Sequence, residues 1–145
     1  MKLKMQVATI AALFALYADG ALSDDDLYSL LDAGNQAFAT AILAGDAGSA
    51  AAGYTDDAYV LAPDAETVRG REDIRAFWQG LIESGIQNVR ISTGEVASSG
   101  DLAYAVGTIE VTGADESTEH SRYVLVFRRV SGEWRLHLDI WTPSM

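Results

Sequence analysis

The closing run Leu136-His-Leu-Asp-Ile-Trp141 carries the residue types best suited to acid–base chemistry in this chain. Successive side chains on an extended strand alternate between faces. The spacing therefore predicts His137, Asp139 and Trp141 on one face, with Leu136, Leu138 and Ile140 on the other. An imidazole and a carboxylate so placed form a pair in which the acid fixes the ring tautomer and raises its basicity. His137 is thus the candidate general base, with Asp139 orienting it. The same spacing also fits a structural pair that pins the strand, or an Asp139 locked to Arg122 or Arg128. Applied to the two preceding strands, the alternation groups Tyr104, Val106, Thr108 and Glu110, and separately Tyr123, Leu125 and Phe127. A lining drawn from Tyr104, Thr108, Glu110, Tyr123 and Trp141 is aromatic with a few polar groups, which suits a small, largely apolar ligand.

Other polar runs point elsewhere. Asp56 and Asp57 are adjacent on a strand, face opposite ways and cannot act on one substrate atom. They read as anchors of the strand start, with Arg69 or Arg71 as partners. Gly70-Arg-Glu-Asp73 reads as the start of a helix, because it lacks the glycine spacing and the lysine of a phosphate cradle. With no cysteine, thiolate chemistry and disulfides are excluded, and His120, His137 and carboxylates are the only plausible metal ligands. No metal cluster, nucleophilic triad or glycine-rich cofactor loop emerges, and no cofactor is expected. His120, beside a polar hairpin, reads as solvated. A net charge of -11 with only ten Lys and Arg argues against nucleic acid as a partner. The acidic surplus reads as a solubility feature with a mild preference for neutral or cationic ligands.

The elements that must position these residues follow from periodicity. Ser23-Asp-Asp-Asp26 offers an N-cap and an acidic first turn, and Leu27, Leu30, Leu31, Phe38, Ile42 and Leu43 recur at helical spacing up to Gly45. Asp46 caps a short alanine-rich helix closed by Gly53, and a strand begins at Tyr54. Pro63 to Thr67 is a loop. Gly70 to Gly85 is a further helix with Ile74, Phe77, Trp78, Leu81 and Ile82 on its buried face. From Asn88 the period becomes two, predicting strands near 88–98, 102–113, 119–130 and 133–142 joined by short turns as an antiparallel meander. Helices first and a curved antiparallel sheet second is an α+β order, and a chain of 145 residues supplies one domain.

The first twenty residues read separately. Lys2 and Lys4 precede the apolar run from Val7 to Ala18, and small residues follow at Ala18, Gly20 and Ala21, the order of a secretory signal peptide. The expectation is cleavage after Gly20, a domain spanning 21–145, and a secreted or periplasmic location. The alternative is an N-terminal amphipathic helix on a cytoplasmic protein. The apolar run falls short of the ~20 residues of a permanent span, so no stable membrane insertion is expected once the leader is removed.

Four runs occur in order: Ala44-Gly45-Asp46, Tyr54-Thr-Asp-Asp-Ala58, Gly70-Arg-Glu-Asp-Ile-Arg75 and Gly132-Glu-Trp-Arg-Leu-His-Leu-Asp-Ile-Trp141. Together they resemble the nuclear transport factor 2-like superfamily of ketosteroid isomerases and SnoaL-like cyclases, across about residues 26–142. The ending from Trp134 to Trp141 looks most like the branch labelled domain of unknown function 4440. The resemblance implies a cone-shaped α+β fold, with the His137 face of the last strand pointing into the cone. It also implies that Tyr54 and Trp78 close the pocket floor, although core packing explains both equally well. At the positions matching the catalytic groups of the isomerases this chain has Ala62, Phe38 and Leu125, all apolar, which removes steroid isomerisation by that machinery.

Two functions remain at this level. One is a cyclase, lyase or isomerase with His137 as base, Asp139 orienting it, and Tyr104, Tyr123 and Trp141 holding substrate. The other is a non-catalytic ligand-binding or self-association module. A homodimer is expected on either view, because Val124, Val126 and Ile109 would otherwise be exposed on the sheet face away from the helices.

Overall fold

The computed structural model describes residues 22–145, and the expected leader lies outside them. Helix α1, Asp24–Leu43, starts where Ser23 Oγ accepts the Asp26 amide at 3.1 Å, with three aspartates in the first turn against the positive end of the helix dipole. Its apolar stripe buries Leu27, Leu30, Leu31, Ala39 and Ile42. Gly45, at a φ of 73° that side chains resist, ends it. Helix α2, Ala47–Ala52, is capped by Asp46, which accepts the Ser49 amide at 2.9 Å. Strands β1, Tyr54–Leu61, and β2, Val68–Arg69, lead into helix α3, Arg71–Glu83. Strands β3, Asn88–Ser99, β4, Leu102–Thr112, β5, Thr118–Val130, and β6, Glu133–Pro143, complete the chain.

The six strands form one mixed sheet in the order β2-β1-β6-β5-β4-β3. The meander from β3 to β6 is antiparallel throughout, as its alternating pattern predicts. β1 runs parallel to β6, and β2 adds a two-residue edge that the periodicity does not reveal. Helix α1 lies against β3 and α3 against β1, so the helices cover one face of an open sheet that does not close into a barrel. Among the described residues no helix is long and apolar enough to cross a membrane.

Two details set which residues the helix-covered face presents. In β4 that face carries Ala103, Ala105 and Gly107, and a side chain at Gly107 would collide with Ser92 O and Tyr123 Oη. From Ala103 to Gly107 this strand therefore presents only small residues beneath the helices, and Ile109 follows them into the cavity lining. In β6 the pairing with β5 steps from Val126↔Leu138 to Phe127↔Leu136, leaving His137 as an extra residue in a β-bulge. The alternation resets there, so Trp134, Leu136, Asp139 and Trp141 reach the inner face.

Candidate functional site

Between the helices and the inner sheet face lies a cavity of about 530 Å³. Its walls are mostly apolar: Phe38 and Ile42 from α1, Trp78 and Leu81 from α3, Ile91 from β3, Leu125 and Phe127 from β5, and Trp134 and Trp141 from β6. The aromatic rings support one another. Trp78 stacks on Trp141 at 5.9 Å between centroids and meets Phe38 edge-on at 4.9 Å and Phe77 at 5.0 Å.

Asp139 lies in this wall at 7% exposure, and Tyr54 Oη donates to its Oδ2 at 2.6 Å. Burial pushes the carboxyl up to about 6, against an ordinary 3.8, while the Tyr54 bond opposes the rise. Burial, then the charge of Asp139, hold the Tyr54 phenol well above its usual range, so it stays a donor. Oδ1 makes no hydrogen bond among the described residues. The only fully buried unpartnered polar atom among the described side chains is Trp78 Nε1, whose N–H lies near enough to the Tyr54 hydroxyl to favour the phenolate. Towards α1 and β3, Asn35 Nδ2 donates to Thr93 Oγ1 at 3.0 Å and to Tyr123 Oη at 3.3 Å, and Tyr123 Oη donates to Ser92 O at 3.2 Å. The site therefore offers one carboxylate of raised basicity and several fixed polar groups in an apolar chamber. Among the described residues no group of three His, Cys, Asp or Glu is placed to hold a metal.

The structure brings together Tyr54, Trp78, Tyr123, Asp139 and Trp141 from the expected set. His137 is not among them. It faces the outer side of the sheet, where its Nδ1 lies 2.8 Å from Thr55 Oγ1 and its Nε2 3.0 Å from Arg128 Nη2. The expected pairing of His137 with Asp139 is therefore corrected: the bulge at His137 puts the two on opposite faces. Burial, then the neighbouring guanidinium, lower the pKa of His137 below 6.5, and Asp57 at 3.7 Å opposes this. Tyr104, Thr108 and Glu110 are corrected as well, because β4 turns its small residues inward. Tyr104 is exposed and hydrogen-bonded to Glu95, Thr108 is exposed, and Glu110 faces Arg90 at 3.5 Å and His120 at 3.3 Å. Ile109 accordingly lines the cavity and does not lie on the outer face. Asp56 meets Arg71 at 2.8 Å, as an anchor should.

Sequence reasoning missed Asn35, Trp134 and the Tyr54–Asp139 bond. Asn35 did leave a signal, since it falls in the α1 stripe between Leu31 and Phe38, where a polar residue must find a buried partner.

An α+β chamber roofed by helices, with one buried acid in a mostly apolar wall, defines a class of pocket protein. The SnoaL-like domain family model matches residues 35–137, and the chain belongs to that family. No curated protein matches. Among solved structures, a ketosteroid isomerase-like protein from Erwinia carotovora atroseptica is similar at 18% identity, covering 83% of this chain and 98% of that one with a TM-score of 0.71. A domain of unknown function with a cystatin-like fold from Nostoc punctiforme shares 18% identity over 87% of this chain and 80% of its own, with a TM-score of 0.71. An NTF2-like protein of unknown function from Pseudomonas putida shares 19% identity over 84% and 89%, with a TM-score of 0.70. At these identities the likeness is one of fold, and the superfamily resemblance drawn from the sequence holds.

Proposed function

We propose that the cavity takes a small, largely apolar carbonyl compound and that Asp139 moves a proton at the carbon beside the carbonyl, the step shared by cyclases, lyases and isomerases of this kind. The observation that carries this reading is the buried carboxyl in the cavity wall, with one oxygen held by Tyr54 and the other without a hydrogen bond among the described residues. A carboxylate titrating near 6 is a stronger base than an ordinary one, yet remains mostly ionised at pH 7. Tyr54 fixes its orientation, and Trp78 and Trp141 supply flat apolar surface for a ring. His137 takes no part in proton transfer on this reading, because it faces away from the chamber. Within the superfamily, the run from Trp134 to Trp141 looks most like the domain of unknown function 4440 branch.

The test is incubation in D2O with a panel of uncharged bicyclic and tricyclic ketones, with deuterium incorporation followed by mass spectrometry. Exchange with wild type and none with Asp139→Asn, at retained binding, is the expected result. Binding without exchange by either protein replaces the enzyme with a non-catalytic binder.

A second part of the proposal concerns assembly. Tyr104, Val106, Val124, Val126, Leu138 and Ile140 are contiguous across β4, β5 and β6 on the outer face, with Tyr104, Val124 and Ile140 exposed. A second copy of the chain covers such a self-complementary patch by two-fold symmetry. Export remains a proposal resting on the leader, checked by whether the mature mass begins at Ala21.

A further inference from the structure

We propose that His137 is the positioning residue of this site: clamped between Thr55 and Arg128 on the outer face, it pins the bulge that turns Asp139 and Trp141 into the cavity. The chemical consequence rests on the reading of Asp139 above, whereas the clamp itself stands on register and hydrogen bonding.

On one side of His137, Tyr54 pairs with Leu136 and Tyr59 with Leu138, so four residues of β1 bow out opposite one residue of β6. On the other side Val126 and Phe127 of β5 pair with Leu138 and Leu136. A one-residue insertion inverts every side chain beyond it. In the unbulged register Leu138 and Ile140 would enter the chamber, while Asp139 and Trp141 would face out. That unbulged arrangement would return a carboxylate to water and cover Ile140, but it would also expose the Trp141 ring that stacks on Trp78. Ile140 is instead 37% exposed and Asp139 is buried. The buried carboxylate weighs against the bulge, so contacts at the bulge itself must help to hold it. The bulge is not of the type that a left-handed glycine makes, because no residue from Leu136 to Leu138 has a positive φ.

The imidazole supplies the hold. A guanidinium only donates, so Arg128 Nη2 at 3.0 Å requires a bare Nε2, and the proton sits on Nδ1, which donates to Thr55 Oγ1 at 2.8 Å. Thr55 belongs to β1 and Arg128 to β5, so one ring stitches three strands at the bulge. Arg128 is steadied by Asp57 at 3.6 Å, and the Tyr59 ring stands edge-on to the imidazole at 5.9 Å. The charged or titratable groups facing the ring are therefore Arg128, Asp57 and Tyr59.

The experiment is NMR on the full chain, reading the His137 tautomer from its ring nitrogens and the Asp139 midpoint from its carboxyl carbon, with Nile red binding alongside. Wild type should show a neutral ring protonated at Nδ1. His137→Leu should lower the Asp139 midpoint by about two pH units, to the ordinary carboxylate range, and weaken Nile red at least tenfold with helix and strand content kept. His137→Gln, whose amide can accept from Arg128 and donate to Thr55, should restore both readings. A folded His137→Leu with wild-type midpoint and binding overturns the proposal. Should that variant not fold, Thr55→Val decides in the same way, and a wild-type ring protonated at Nε2 overturns the clamp without any variant. A wild-type Asp139 midpoint already near 4, with Trp141 still in contact with Trp78, sinks the acid–base reading of the site and leaves the clamp to be judged by whether His137→Leu breaks that contact.

Discussion

At Asp139 the folded chain binds a proton more tightly than the unfolded chain does, since the carboxyl sits at about 6 against an ordinary 3.8. Below pH 3.8 both states are protonated and the residue costs nothing. Through the window up to 6 the unfolded state releases its proton first, so stability falls as pH rises, and above 6 the full cost is present. At 1.36 kcal/mol per unit this is about 3 kcal/mol. Asp139→Asn, similar in shape and uncharged, should therefore raise stability by about 1–3 kcal/mol at pH 8 and give no such gain at pH 3.5, as measured by urea unfolding at both values. Tyr54→Phe removes the donor that opposes the upward shift, so the Asp139 midpoint should climb further above 6 in a carboxyl-carbon titration. A midpoint that falls would mean that Tyr54 does not hold the acid. Asp139 is legible as a candidate only as the partner of His137 two residues away, a pairing that the bulge breaks. Its actual partner is not legible, since Tyr54 and Asp139 stand 85 residues apart and meet only through the parallel pairing of β1 with β6.

The elements themselves follow from the sequence almost to the residue, because caps such as Ser23 and Asp46 and the change of period at Asn88 are local signals. Strand phase is less accessible. In β4 the large residues Tyr104 and Glu110 attract attention as lining, yet the crowded inner face takes Ala103, Ala105 and Gly107. In β6 the alternation is broken by one residue whose hold, Thr55 and Arg128, comes from two other strands. Gly107→Ala tests the crowding. Its methyl group would meet Ser92 O and the Tyr123 ring, so the variant should lose at least about 2 kcal/mol of stability and disturb the Asn35–Tyr123 contact. Normal stability with unshifted Tyr123 resonances would show that the inner face has slack.

For the molecule as a whole, the uncovered patch on β4, β5 and β6 and the net charge of -11 pull in opposite directions. Apolar contact favours a second copy, while like charge opposes it and is screened by salt. Sedimentation should therefore show a dimer that tightens between low and moderate salt, and Val124→Glu should weaken it at least tenfold. A monomer at all salt concentrations would remove the dimer. The chamber encloses a carboxyl that it keeps largely away from water. The most direct measurement is the carboxyl-carbon titration of Asp139, assigned by its loss in Asp139→Asn. A midpoint near 6 is the predicted result. A midpoint near the ordinary carboxylate value of about 4 would mean that the acid is solvated and that the cavity wall is not the one described.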